Sequence, residues 1–180
     1  MFLSDLDIQK NIESGDILIT DFDNSRLQPA SYDIRLGNKF LVVDDYKSPV
    51  IDPVKKILPE YREIELRDDE FFTLHPGTTI LGMSLEKFGS EKFLIQLSGK
   101  SSLARLGLIV HNTAGLINPG HYLNITFELA NMNSIPIILR PGMEIAQLLF
   151  AQMSAHPEKD YRKIGRYAEG EQNFTSYQEK

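Results

Sequence analysis

The chain has 180 residues, of which 42% are hydrophobic and 24% charged, enough for one globular domain with a sizeable core. Lys and Arg number 19 against 25 Asp and Glu, a formal net charge of −6. That balance argues against a surface that tracks a nucleic-acid backbone, while a few local cations can still hold one phosphate group. There is no Cys, which excludes disulfides, thiolate zinc sites and a Cys nucleophile.

The N-terminus, Met1-Phe2-Leu3-Ser4-Asp5-Leu6-Asp7, has neither the basic nor the apolar region of a signal peptide. No apolar run approaches the roughly 20 residues that cross a bilayer, so the expected setting is cytoplasmic, with no membrane partner. Ser4 is placed to cap a short helix with Asp7 three residues on, Leu6, Ile8 and Ile12 as its apolar positions and Gly15 as its stop. Strand signals then dominate. Tyr32, Ile34 and Leu36 alternate with polar residues up to a turn expected at Gly37-Asn38. Further strands are expected at 40–43, 71–74, 79–84 and 93–97. Residues 135–139 and 145–150, joined by Pro141-Gly142, read as a strand pair, with Pro136 at an edge or a strand start. Many short strands with Gly and Pro punctuation indicate a mainly β sandwich, jelly roll or barrel. Residues 1–155 form this β domain. Residues 156–180 read as a charged tail with scattered tyrosines, either a frayed end or a lid that orders over a ligand.

Chemistry concentrates between residues 98 and 130. Gly99-Lys100-Ser101-Ser102 suits an anion: Gly admits close backbone approach, the hydroxyls and helix-start amides donate, and Arg105 lies one turn on. It is not a Walker loop, because position 94 is Leu where that loop needs Gly. The same residues also suit a plain Ser-capped turn. Leu123, Ile125, Phe127 and Leu129 form a core-facing set. Thr126 and Glu128 share the opposite, polar face about 7 Å apart, where Glu128 is either a site carboxylate or a solvated strand residue. His111 reads as a structural hydrogen-bonding residue. The four His, at 75, 111, 121 and 156, form neither a helical pair nor the His-x-Glu signature of zinc deaminases.

Gly99-Lys100-Ser101-Ser102-Leu103-Ala104-Arg105-Leu106-Gly107-Leu108, with His111-x-Thr113-Ala114-Gly115 and Thr126-x-Glu128, resembles the dCTP deaminase branch of the dUTPase superfamily. Leu3-Ser4-Asp5-x-Asp7-Ile8, the segment from Gln28 through Ser31-Tyr32-Asp33 to Gly37, Leu74-His75-Pro76-Gly77 and Arg140-Pro141-Gly142-Met143 extend the resemblance over most of the chain; it is weakest between Asp44 and Glu70. The resemblance implies a dUTPase-like β-clip, a distorted jelly roll with a short N-terminal helix. It implies a homotrimer with active sites between subunits, a dCTP substrate whose Mg²⁺ is carried by the phosphates, no zinc, and dTTP as a candidate inhibitor. The product would be dUTP and ammonia, supplying dUTP or dUMP for thymidylate synthesis.

Carried onto this chain, the resemblance makes Glu128 the catalytic carboxylate, supported by Ser101, Arg105 and the Ala114 carbonyl. Lys100, Ser101, Ser102, Leu103, Ala104 and Arg105 hold the triphosphate. Asn118, Thr126, Phe127 and Gln147 complete the nucleotide site, and Tyr161, Arg166 and Gln172 reach it from the tail. Ala114-Gly115, Lys100 and Gln147 resemble the bifunctional, dUMP-forming branch. Asn118 stands where the family usually carries Asp, and Asn cannot act as a base at neutral pH. A dUTP diphosphatase on the same fold is the alternative.

Overall fold

The computed structural model describes residues 1–159 and 161–165. Helix α1 is Asp5–Glu13. Strands follow as β1 Leu18–Ile19, β2 Leu27–Gln28, β3 Ser31–Val43, β4 Tyr61–Glu65, β5 Phe72–Leu74, β6 Thr79–Ser84, β7 Phe88–Ser90 and β8 Phe93–Gly99. After the single turn α2, Ser101–Ala104, come β9 Leu108–Ile109, β10 Leu116–Ile117, β11 His121–Leu123, β12 Thr126–Asn131, β13 Ile137–Leu139 and β14 Glu144–Gln152, then the short helix α3, Tyr161–Ile164. The expected mainly β architecture with a short N-terminal helix is the one found. No helix among the described residues is long and apolar enough to cross a membrane.

The N-terminal cap forms as expected. The Ser4 hydroxyl oxygen accepts the Asp7 N–H at 3.3 Å, and Gly15 follows the helix end at φ +80°. Ile8 is fully buried and Ile12 packs against the core, one turn apart. Leu6, expected on the same face, is exposed. Two residues before Ile8 is about 200° around the helix, so the narrow stripe that meets the sheet excludes it.

The main sheet runs β10-β8-β14-β3-β6-β12-β9, with β2 and β4 also on β3. The turn expected at Gly37-Asn38 does not occur. Instead β3 continues through it, pairing with β14 and β2 in its first half and with β4 and β6 in its second, with an irregular register between Leu36 and Phe40. Gly37 serves a close approach rather than a turn, since a Cβ there would sit 3.0 Å from the Met83 carbonyl oxygen. The strands expected at 135–139 and 145–150 exist, but they are not partners: among the described residues β13 pairs only with β5, and β14 lies between β3 and β8. Burial decides this, because Ile145, Leu148 and Phe150 are core residues that need central neighbours, whereas Pro136 just ahead of β13 suits an edge. Tyr32, Phe40, Phe88, Phe127 and Phe150 fill the core completely buried.

Candidate active site

Strand alternation on β12 sends Phe127 and Leu129 into the core, fully buried, and leaves Thr126 and Glu128 half-buried on the other face. Pairing of β12 with β6 sets Glu128 opposite Leu81. The Asn112 N–H donates to Glu128 Oε2 at 3.2 Å, which ties the carboxylate to the loop that carries Ala114. Glu128 and Thr126 face a cavity of about 500 Å³. Its other walls are Ala114, Leu116 and Asn118 from the segment around β10, His121 and Leu123 from β11, the loop residues Ile51, Pro53, Leu58 and Pro59, and Tyr161 from α3. Four of the expected catalytic or binding residues, Ala114, Asn118, Thr126 and Glu128, therefore meet in one place, and Tyr161 joins them from the tail. Phe127 can contribute only its main chain, because its ring is in the core. Arg166 and Gln172 lie outside the described residues.

The anion segment is elsewhere in the same chain. None of residues 100–105 lines this cavity. Ser101, Ser102, Ala104 and Arg105 are exposed on and just after the single turn α2, while Leu103 packs against the core. One helical turn carries little macrodipole, so exposed amides, hydroxyls and the Arg105 guanidinium are what this segment offers an anion. Lys100 is engaged: its Nζ lies 2.6 Å from Asp33 Oδ2 and 2.6 Å from Glu144 Oε2. Partial burial pulls its pKa down, but its bonds to Asp33 and Glu144 outweigh this and hold it above the ordinary lysine value. Gln28 Nε2 donates to the same Asp33 oxygen at 3.2 Å. Gln147 sits beside this group on β14, opposite Ser98 and Asp33, and accepts from the Ser31 hydroxyl at 3.2 Å. The residues expected to bind nucleotide thus fall into two groups on one chain, a cavity with the carboxylate and a polar cluster with the anion segment.

His121 was expected to do nothing in particular, yet it lines the cavity. No sequence signal marked it: strand alternation puts it in the core-facing set with Leu123, Ile125 and Phe127, opposite Glu128. Its ring lies near Phe88 and Tyr161, at 6.2 and 5.9 Å between centroids, and its Nε2 is buried with no hydrogen-bond partner among the described residues. Gly89 on β7 makes room for this strand, since a Cβ there would fall 1.6 Å from the His121 carbonyl oxygen. Burial lowers the His121 pKa from 6.5 to about 4, opposed only in part by a hydrogen bond to the Leu123 main chain. Between those values the unfolded chain binds a proton that the folded chain does not, so His121 makes stability fall as pH drops from about 6.5 to about 4, by up to about 3 kcal/mol. Thermal melts at pH 7 and pH 5 should show this loss, and His121→Gln should flatten the slope; an unchanged slope would assign it to other groups.

A family model described as dCTP deaminase-like matches residues 2–153. The chain belongs to the dCTP deaminase-like family. Among curated relatives, it is 43% identical over 178 residues to the "dCTP deaminase, dUMP-forming" of Corynebacterium glutamicum, covering 97% of this chain and 94% of the relative. It is 43% identical over 162 residues to the protein of that name from Beutenbergia cavernae, covering 89% of this chain and 84% of the relative. Among solved structures, the 2'-deoxycytidine 5'-triphosphate deaminase of Agrobacterium tumefaciens superposes with a TM-score of 0.65 at 22% identity, over 84% of this chain and 48% of that one. This chain therefore spans about half the length of that solved protein, and the two share the fold. The dUTPase-like β-clip expected from the motifs is the fold of this chain.

Proposed function

We propose that this protein hydrolyses the 4-amino group of dCTP, bound as its Mg²⁺ complex, without zinc, releasing ammonia and dUTP. The observation that carries the reading is the Glu128 carboxylate on the wall of a cavity that Thr126, Asn118 and Ala114 also line, in a chain whose relatives are named for this reaction.

Water must add to C4 of the pyrimidine, N3 must gain a proton, and the 4-amino group must leave as ammonia. Zinc deaminases acidify the water with a metal held by Cys and His. This chain has no Cys, and the role falls to Glu128. The carboxylate takes a proton from water as the oxygen attacks C4, passes it to the ring, and a proton then moves to the departing amine. One water enters and one ammonia leaves. The Asn112 amide holds one oxygen of Glu128, which leaves the other to face the water. The Ala114 carbonyl and the Ser101 hydroxyl position that water, and Arg105 stabilises the charge that develops. The separation of the anion segment from the cavity within one chain supports a site completed between copies, with Lys100 to Arg105 and Gln147 of one subunit meeting the cavity of another in a homotrimer. Tyr161, on the cavity wall, supports the lid reading of the tail.

The names of the relatives, with Ala114-Gly115, favour a second reading in which the triphosphate is also cleaved to dUMP and pyrophosphate. Asn118 counts against it, because an amide cannot deprotonate the water that attacks the α-phosphate. Incubation with dCTP and Mg²⁺, with and without a zinc chelator, separates these outcomes. Ammonia and dUTP in equal amounts, insensitive to the chelator, are expected. dUMP plus pyrophosphate would establish the bifunctional reaction despite Asn118, and pyrophosphate from dUTP without ammonia from dCTP would make the protein a diphosphatase.

A further inference from the structure

The carboxylate side of the cavity is accounted for by the chemistry above; another part of its lining is not. It is supplied by residues 51–59, part of an excursion between β3 and β4 in the stretch where the family motifs are faintest. The excursion leaves the sheet just after the Val43–Tyr61 pair, where Asp44 N–H still donates to the Glu60 carbonyl at 2.9 Å. Its tip then closes on itself. Asp52 and Ile57 exchange both main-chain hydrogen bonds at 2.9 Å, Asp52 Oδ1 accepts the Lys55 N–H at 3.0 Å, and Lys56 takes a left-handed φ of +58° to make the turn. The Glu60 N–H donates to the Ser48 hydroxyl at 2.8 Å at the base. This is a braced arm rather than a loose loop.

The arm leaves apolar surface exposed on this chain. Ile51 is 55% exposed and Leu58 36%, and both line the cavity, together with Pro53 and Pro59. Val54, at the tip, is 89% exposed and does not line it. Exposed aliphatic side chains gain when a ligand with apolar faces covers them. A pyrimidine deoxynucleoside has such faces, and the cavity already holds the polar groups that read its edges. A general base that activates one water also works best where bulk water is kept out.

We propose that the arm at residues 51–59 is the closing wall of the nucleotide cleft, with Ile51 and Leu58 as positioning residues that press the pyrimidine nucleoside against the Thr126–Glu128 strand and shed water from around it. This rests on the deaminase reading and assigns the substrate-facing role of that site to a segment outside the family motifs. The role is steric and solvent-excluding; neither residue takes part in the proton transfers.

The test is steady-state ammonia release by wild type, Ile51→Ser/Leu58→Ser, the conservative Ile51→Val/Leu58→Met, and Val54→Ser as a control on the same arm. The double Ser variant should raise KM for dCTP about tenfold or more with an unchanged melting temperature, the conservative pair should restore most of the loss, and Val54→Ser should match wild type. In parallel, amide exchange across 51–59 in the Glu128→Gln protein should slow when dCTP and Mg²⁺ are added, a readout that needs no change in the arm. KM and kcat within twofold of wild type in the double Ser variant, or exchange across the arm that ignores saturating dCTP, would overturn the proposal. Absence of ammonia from the wild type would instead overturn the deaminase reading beneath it.

Discussion

Glu128→Gln should lower kcat for dCTP deamination by about 10²–10⁴-fold, the range a positioned general base contributes, while the Kd for dCTP stays within a few-fold of wild type. Gln has nearly the same shape and can still accept the Asn112 N–H, so the loop that carries Ala114 stays anchored. What the amide cannot do is take the proton from water and return it. The expected signature is therefore a fall in kcat with little change in binding, read by single-turnover ammonia release and by equilibrium titration. A Gln variant with near-normal kcat would remove Glu128 from the mechanism and leave the site with no identified base.

The largest stability loss should come from outside the cavity, at Glu86. Its side chain is fully buried and faces two guanidinium groups. Oε1 receives Arg26 and, at 2.6 Å, Arg35 Nε, and Oε2 accepts the Arg35 main-chain N–H at 2.8 Å. Arg26 is itself buried, stacks over the Tyr32 ring and also donates to the Asp21 carbonyl oxygen. This carboxylate ties the turn before β7, the long strand β3 and the turn before β2 into one unit. Replacing Glu86 by Gln leaves a buried Arg26 without its counter-charge, and removing one member of a buried pair typically costs about 3–5 kcal/mol. Exposed pairs such as Lys47–Glu60, at 3.4 Å, should cost no more than about 1 kcal/mol on the same change. Urea unfolding of Glu86→Gln beside Glu60→Gln measures the contrast, and equal losses would mean that water reaches the Glu86 cluster.

Much of the site was legible from residue order alone. The Ser4 cap and Gly15 stop depend on hydrogen bonds that span three or four residues, so the sequence carries them whole. The alternation that buries Phe127 and exposes Glu128 is likewise local, a two-residue period that any strand must obey. The Gly99 to Gly107 motif and the Glu128 strand are why the family could be identified from motifs, and the match over residues 2–153 agrees. The same alternation puts His121 in the core-facing set, so no sequence signal marked it.

Pairing and separation were not legible. Whether Gly37 turns the chain or slides past the Met83 carbonyl depends on a strand that arrives nearly fifty residues later. Whether β14 pairs with β13 or sits between β3 and β8 depends on which arrangement buries Ile145, Leu148 and Phe150 from both sides. In sequence Ile51, Val54 and Leu58 are spaced by three and four, but Pro53 and Pro59 break any helix there, so no regular element marked the arm; only folding brings Ile51 and Leu58 to line the same cavity as Glu128. By itself the sequence determined the chemistry available, a carboxylate on a strand face, a Gly-Lys-Ser-Ser turn with hydroxyls and cations, and no thiol, because those are properties of residue type and short-range geometry. Only the tertiary structure decided that the carboxylate cavity and this turn lie apart on one chain, because their distance is set by long-range burial rather than by their spacing in the sequence.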